Sequence, residues 1–380
     1  MVNKKNNQGR RECRRRWVFA FVWVGLLAGC SQAMFPGEIG SPAPVQTETA
    51  AGTVVYTSNP NGNWDIYSVT TDGRHAQRLT STPAEEEGLM PSPDGTKITF
   101  VSKRDGDYEI YVMNLDGTKQ QRLTHARGID EDPYWFPDGS KILFESAREG
   151  NWDVFVMNAD GTNPINLTRT PVDEADPILS PDGTRILFKS LRDGSWRLYA
   201  MNVDGSGLTS LVRSDYTEGA NDDPVWSPDG RHVAFVSHRD GNSGIYIMDL
   251  SATAAGSSPP DFRTINRHPD GDEGPVWSPD GSQIAFVSGR DGSRKIYVVD
   301  HDQSMPVPVS SVPVERGVPQ WSPDGRWIAY IAGPPENRVI HLVNPGSQAH
   351  QELKQAKGEI AELRWVPAET PVRVGRRSER

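Results

Sequence analysis

The chain has 380 residues, only 36% of them hydrophobic, with 36 glycines, 30 prolines and a formal net charge of −10. Residues 1–29 hold seven Lys/Arg and one Glu, so the remaining body carries 33 basic and 49 acidic residues, a balance of −16. That excludes the basic footprint nucleic-acid binding requires, and the Gly/Pro content suits short strands and turns rather than helices. The two cysteines, Cys13 and Cys30, both precede this body, so it is expected to hold no disulfide.

The chain opens with a basic segment, Lys4, Lys5, Arg10, Arg11 and Arg14 to Arg16, followed by an apolar run from Trp17 to Leu27. Eleven residues are too few to span a bilayer comfortably and suit the hydrophobic region of a secretory signal. The run ends Leu27-Ala28-Gly29-Cys30, which resembles a bacterial lipobox. The resemblance implies cleavage before Cys30 and a lipid on it, which would tie the mature chain to a membrane. Residues 30–52 are rich in Pro, Gly, Ala, Ser and Thr without apolar periodicity and are expected to form a lipidated tether.

From residue 53 the chain repeats itself. Pro-Val-Trp-Ser-Pro-Asp-Gly stands at Pro224 to Gly230 and again at Pro275 to Gly281, with looser copies elsewhere. The proline before Asp-Gly marks the register, at Pro93, Pro137, Pro181, Pro228, Pro279 and Pro323, with spacings of 44, 44, 47, 51 and 44. A period of this size points to a repeat architecture. Within one unit, Pro224 to Ser227 is a short first strand (a), and Ser-Pro-Asp-Gly is a turn. Strand b runs His232 to Ser237, Arg239-Asp240-Gly241 turns, and strand c runs Gly244 to Asp249. A fourth strand (d) is clearest at Gln121 to Thr124 and Ile165 to Thr168. Four short antiparallel strands per unit make a propeller blade. Insertions near Asp215 to Ala220 and at Ala252 to Asp261 read as surface loops.

The first unit starts at Thr53 in strand b, without a strand a of its own. The chain ends with the opposite fragment, Leu363 to Pro367, a strand a with Pro367 standing 44 residues after Pro323. The two fragments complete each other and remove the free edges of a linear array. The expected fold is therefore all-β, a seven-bladed propeller over 53–367 (six blades if the loose first unit is misaligned). A basic tail follows at 368–380.

Trp-Ser-Pro-Asp-Gly followed by Ile-Ala-Phe-Val-Ser-x-Arg-Asp-Gly and Ile-Tyr-Val-Met-Asn resembles the WD40-like (PD40) repeats of TolB-type propellers. The resemblance covers Val54 to Pro367. TolB itself is a soluble periplasmic protein with an α/β domain before a six-bladed propeller; here a lipobox and tether take that place. The resemblance implies a bacterial cell-envelope location and a binding role.

Register also locates candidate site residues. Arg104, Arg148, Arg192, Arg239 and Arg290 stand eleven residues after their marker prolines, in the b–c turns. Glu87, Glu131, Asp222 and Glu273 stand six residues before theirs, with Glu174 and Asp176 flanking the same slot of the fourth unit and Glu362 near that of the closing strand. Loops b–c and d–a share one face of a propeller, so these groups are expected together at one channel mouth. There the carboxylates form either a collar for a cationic ligand or basic peptide, or structural ion pairs with the arginines. His341 occupies the slot held elsewhere by Tyr111, Phe155, Tyr199, Tyr246 and Tyr297 and is expected as an aromatic substitute in the sheet. No catalytic constellation, phosphate loop or clustered His/Cys spacing is present, so no catalytic residue, metal or cofactor is expected. Similar repeats occur in oligogalacturonate lyases, which use a histidine-centred metal site. His125 and His268 fall in d–a loops here but three blades apart. Propellers also precede the hydrolase domain of prolyl-oligopeptidase-like enzymes, but only thirteen residues follow Pro367. The expected function is a monomeric, lipid-anchored, non-catalytic scaffold that binds a protein or peptide partner in the bacterial envelope. The alternative is an enzyme acting on envelope or extracellular polysaccharide through the acidic channel.

Overall fold

The computed structural model describes residues 49–211, 221–239, 241–251, 260–302, 305–353 and 358–367. Cys30 with most of its tether, the 368–380 tail and nearly all of both proposed insertions lie outside the described residues.

Among the described residues, twenty-eight strands form seven four-stranded antiparallel sheets. In blade 1 strand a is Ile360–Trp365, and strands b, c and d are Thr53–Ser58, Asp65–Thr70 and Ala76–Arg78. The chain's last strand thus pairs with its first, Val54 opposite Trp365 and Tyr56 opposite Leu363. Blades 2 to 7 follow in sequence, with strand a at Glu86–Pro91, Asp130–Trp135, Glu174–Leu179, Asn221–Trp226, Asp272–Trp277 and Val314–Trp321. Strand a therefore begins three to five residues before the expected point, and strand d is often only two residues long, as at Gln121–Arg122 and Ile165–Asn166.

Packing explains the closure. Trp365 is buried with Trp327, Ile331, Ile340 and Leu353 of blade 7 and Val54, Tyr56 and Tyr67 of blade 1. Burying such aromatics contributes about 2–3 kcal/mol each. Its indole Nε1 donates to Gln320 O at 3.0 Å, as Trp135 donates to Met90 O and Trp321 to Val276 O, both at 3.3 Å. Each indole thus ties its blade to the preceding one. Ala50 is also buried in the closing cluster and its carbonyl accepts the Thr71 hydroxyl at 2.8 Å, so the packed body starts ahead of strand b. His341 stacks on Tyr330, with centroids 5.4 Å apart, as Tyr111 does on Phe100.

The Ser-Pro-Asp-Gly turns are locally complete. Gly230 N–H donates to Ser227 O, the Ser227 hydroxyl to Asp229, and the backbone N–H of Arg231 and His232 to Asp229 Oδ1 and Ser227 Oγ, at 2.5–3.0 Å. At Gly95 the turn also meets the closing strand: φ is +69°, and an added Cβ would lie 2.3 Å from Pro367 O. Only glycine meets both conditions.

Candidate channel-mouth binding site

Strand a is innermost, so its first residues lie at the channel mouth on the face of the b–c turns. Alternation along it separates two sets of carboxylates. Glu86, Asp130, Glu174 and Asp272, at the first position, are each at most 1% exposed. They accept from Arg104, Arg148, Arg192 and Arg290 at 2.7–2.9 Å. Each arginine also donates through Nε to the serine two residues earlier, at 2.8–3.0 Å, and lies over its blade's Tyr/Phe ring at 4.6–4.8 Å. Arg239 keeps the contacts to Ser237 and Tyr246 and lies 3.7 Å over Phe262, in the blade where Asn221 holds the first position.

This corrects the expected geometry. The candidate acids do not lie in the d–a loops; they are residues of strand a itself. The arginines bond the residue before the expected one, except in blade 4, where Glu174 is the buried partner of Arg192 and no member of an open ring. The cause is the two-residue alternation of a strand, which sends neighbouring carboxylates to opposite sides.

The second set faces the channel. Glu87 and Glu131 are half-buried there. Glu273 accepts from Arg294 at 2.8 Å, and Glu362 accepts the backbone N–H groups of Gly88 and Leu89 at 3.3 Å. Asp176 and Asp222 both hold the Lys189 ammonium, at 2.6 and 3.2 Å. Burial lowers the affinity of Lys189 for its proton, but Asp176 and Asp222 more than restore it, so the ammonium is held charged.

Three further acids, Asp132, Asp223 and Glu145, join this set in the structure. A β-bulge interrupts strand a in every blade, and its left-handed position is held by Gly88 and Gly274 in blades 2 and 6. In blades 3, 4 and 5 the same position holds Asp132 (φ +53°), Asp176 (φ +54°) and Asp223 (φ +49°). Aspartate tolerates this region better than most residues, but glycine would adopt it without cost. Asp223 is exposed at its surface, but desolvation by the surrounding channel wall and neighbouring Asp222 push its carboxyl up to about 6, against the pull of Lys189. Strand b adds Glu145, 3% exposed, where other blades carry Val101, Val236 and Val287. Carboxylate oxygens of Asp132, Glu145 and Asp176 lie within 4.8 Å of one another, a donor set of the kind hard cations take. Lys189 already supplies a positive charge beside it. His125 is exposed and His268 faces Asp270 at 3.5 Å; among the described residues, no histidine joins the cluster.

One tier deeper, seven half-buried residues line the wall, one from each strand a. Four are apolar (Met90, Ile178, Val225 and Val276), and the others are Tyr134, Gln320 and Arg364. Two surface clefts lie elsewhere: one against the outer strands of blade 4, lined by Arg185 and Leu211, the other between the a–b turns of blades 2 and 3, lined by Pro93, Trp135 and Pro137.

A closed ring of seven four-stranded blades, with charged side chains gathered at one channel mouth, defines a β-propeller. Residues 212–362 match the TolB beta propeller domain, PD40, and residues 52–151 match the Tricorn protease N-terminal beta propeller domain. The chain is a TolB-like β-propeller. TolB from Acinetobacter baumannii superposes with a TM-score of 0.52 at 18% identity, over 83% of this chain and 66% of that one. An oligogalacturonate lyase in complex with manganese gives 0.61 at 17%, over 80% and 86%. A Mycobacterium tuberculosis puromycin-hydrolyzing peptidase gives 0.66 at 16%, over 82% of this chain and 53% of its own. At these identities the likeness is one of fold. The chain spans just under two thirds of that TolB structure and about half of the peptidase. No match is found among curated proteins.

Proposed function

We propose that the chain is a lipid-anchored, extracytoplasmic binding scaffold of the bacterial envelope, and that its channel mouth engages a cationic group of a protein or peptide partner. The observation that carries this reading is the placing of Asp132, Asp176 and Asp223 at left-handed positions that glycine fills in two other blades. Charge is put where the backbone alone does not ask for it, and it is concentrated on one arc of the ring. The TolB-like fold, the lipobox at Cys30 and the acidic body agree with the reading.

Two experiments test it. Cys30→Ser should release the chain from the membrane fraction and remove its acyl groups by mass spectrometry; an unchanged distribution would remove the anchor from the proposal. Cross-linking of the native protein should capture a defined envelope partner, and the Asp132→Asn/Asp176→Asn/Asp222→Asn variant should capture less. Asparagine keeps the left-handed backbone at positions 132 and 176, and its side-chain oxygens can still accept from Lys189 at 176 and 222; circular dichroism and thermal melting check that the variant is folded.

A second reading has one specific observation behind it, the Asp132–Glu145–Asp176 cluster. It would make the chain an enzyme on envelope or extracellular polysaccharide, with a hard cation at those carboxylates. Stoichiometric metal after purification and turnover of acidic oligosaccharides would favour it over the scaffold.

A further inference from the structure

The tier below the acidic mouth has a different chemistry. Its three polar heads, Tyr134, Gln320 and Arg364, are all hydrogen-bond donors in a wall that is otherwise apolar. They come from blades 3, 7 and 1 and occupy the same position of strand a, so they stand at one height around the channel.

Arg364 sets this tier apart. One Nη1–H donates to the carbonyl of Leu363 at 2.9 Å. Among the described residues it forms no ion pair, whereas Arg104, Arg148, Arg192 and Arg290 each hold a buried carboxylate. The Tyr134 hydroxyl and the Gln320 side-chain amide likewise make no hydrogen bond among the described residues. Blade 2 separates Tyr134 from Arg364 along the wall, yet the guanidinium acts on the phenol: burial raises the Tyr134 proton affinity and Arg364 opposes it. Both heads stand at the same position of strand a, fifth in Asp130–Trp135 and in Ile360–Trp365.

Above, the acids at left-handed positions lie on the arc of blades 3 to 5. Below, the donors lie mainly on the arc of blades 7 and 1. The tiers are two residues apart along strand a, about 7 Å at the usual strand rise. A guanidinium beside an amide and a phenol offers a carboxylate several charge-assisted or neutral donors in a partly dry wall.

We propose that the channel takes a zwitterionic ligand, its cationic group at Asp132, Asp176 and Asp222 and its carboxylate at Arg364, Gln320 and Tyr134. The proposal rests on the cationic reading of the mouth and adds the second group recognised. It makes Arg364 the residue that separates a zwitterion, such as an amino acid or a short peptide with a free carboxyl end, from a simple cation.

Three probes of one length test it: 6-aminohexanoate, hexylamine and hexanoate, each titrated by calorimetry into the folded chain. The expected order is 6-aminohexanoate tighter than hexylamine by about tenfold, the scale of one charge-assisted hydrogen bond. Hexanoate should be the weakest. Arg364→Gln should abolish that advantage and leave hexylamine binding unchanged, which also shows the variant to be folded; Arg364→Lys should keep part of it. Hexylamine binding as tightly as 6-aminohexanoate, or an advantage that survives Arg364→Gln, would overturn the carboxylate site and leave the cationic mouth standing. Hexanoate binding as well as 6-aminohexanoate would overturn the cationic mouth and the zwitterion with it. No binding of any probe at millimolar concentration would overturn both.

Discussion

The two faces of the propeller treat carboxylates in opposite ways. On the face of the a–b and c–d turns, the hydroxyl and backbone N–H of Thr118, Thr162 and Ser206 hold Asp116, Asp160 and Asp204 below the usual carboxylate range. At Asp138 the Ser140 backbone N–H and hydroxyl do the same. Each aspartate is exposed and satisfied within its own turn. Toward the other face desolvation dominates: burial raises Asp65 against the pull of Arg78 and lifts Glu109 to about 7, and crowding by the channel wall and Asp222 lifts the exposed Asp223 to about 6. The first face spends its acids on local turn geometry. The second carries acids whose ionisation depends on residues from other strands and blades, and such coupling can be altered by a ligand.

Breaking the comparison should cost most at the buried pairs. Arg148→Ala leaves Asp130 buried at 1% exposure without its cation and should lower unfolding free energy by about 3–5 kcal/mol, read from denaturant titration. A loss as small as that of a surface substitution would deny the pair its structural role.

The next effect is on pH dependence. Folded Glu109 keeps its proton up to about 7, whereas in the unfolded chain it is lost near the ordinary 4.5. Between these values the folded state binds the extra proton, so this residue makes stability fall as pH rises through the window. Glu109→Gln should flatten that slope between pH 5 and 7. An unchanged slope would locate the burden elsewhere.

A smaller change sharpens the channel picture. Lys189→Met removes the ammonium shared by Asp176 and Asp222 and should move Asp223 above its present value of about 6, followed by carboxyl NMR. A downward movement would contradict the arrangement. The smallest effect belongs to the turn face, where Asp138→Ala loses two hydrogen bonds from Ser140 and should cost about 1 kcal/mol, with ligand binding unaffected.

The architecture was open to sequence reading because its signals are local and repeated. Ser-Pro-Asp-Gly fixes a turn wherever it occurs, and Pro367, one period after Pro323, foretold the strand that closes blade 1. The site was less open. Glu86 and Glu87 are adjacent and chemically alike, and only pairing in the sheet shows that one is fully buried on Arg104 and the other half-buried at the channel. Asp132 and Asp223 were hidden by the bulge, because left-handed backbone at an aspartate has no spacing signature. The available signal was Gly88 and Gly274 in the same register. Glu145 and Lys189 could have been found as the two charges in a strand-b position that is otherwise valine in blades 2, 5 and 6.

The most direct test of the two-face account is partner capture by cross-linking under matched conditions, with two charge-removed variants. One carries asparagine at Asp132, Asp176, Asp222 and Asp223; the other carries asparagine at the turn aspartates Asp138, Asp182, Asp229 and Asp280. The account predicts that the first loses the partner and the second keeps it at the wild-type level. Equal capture by both variants, or loss confined to the turn variant, would contradict it.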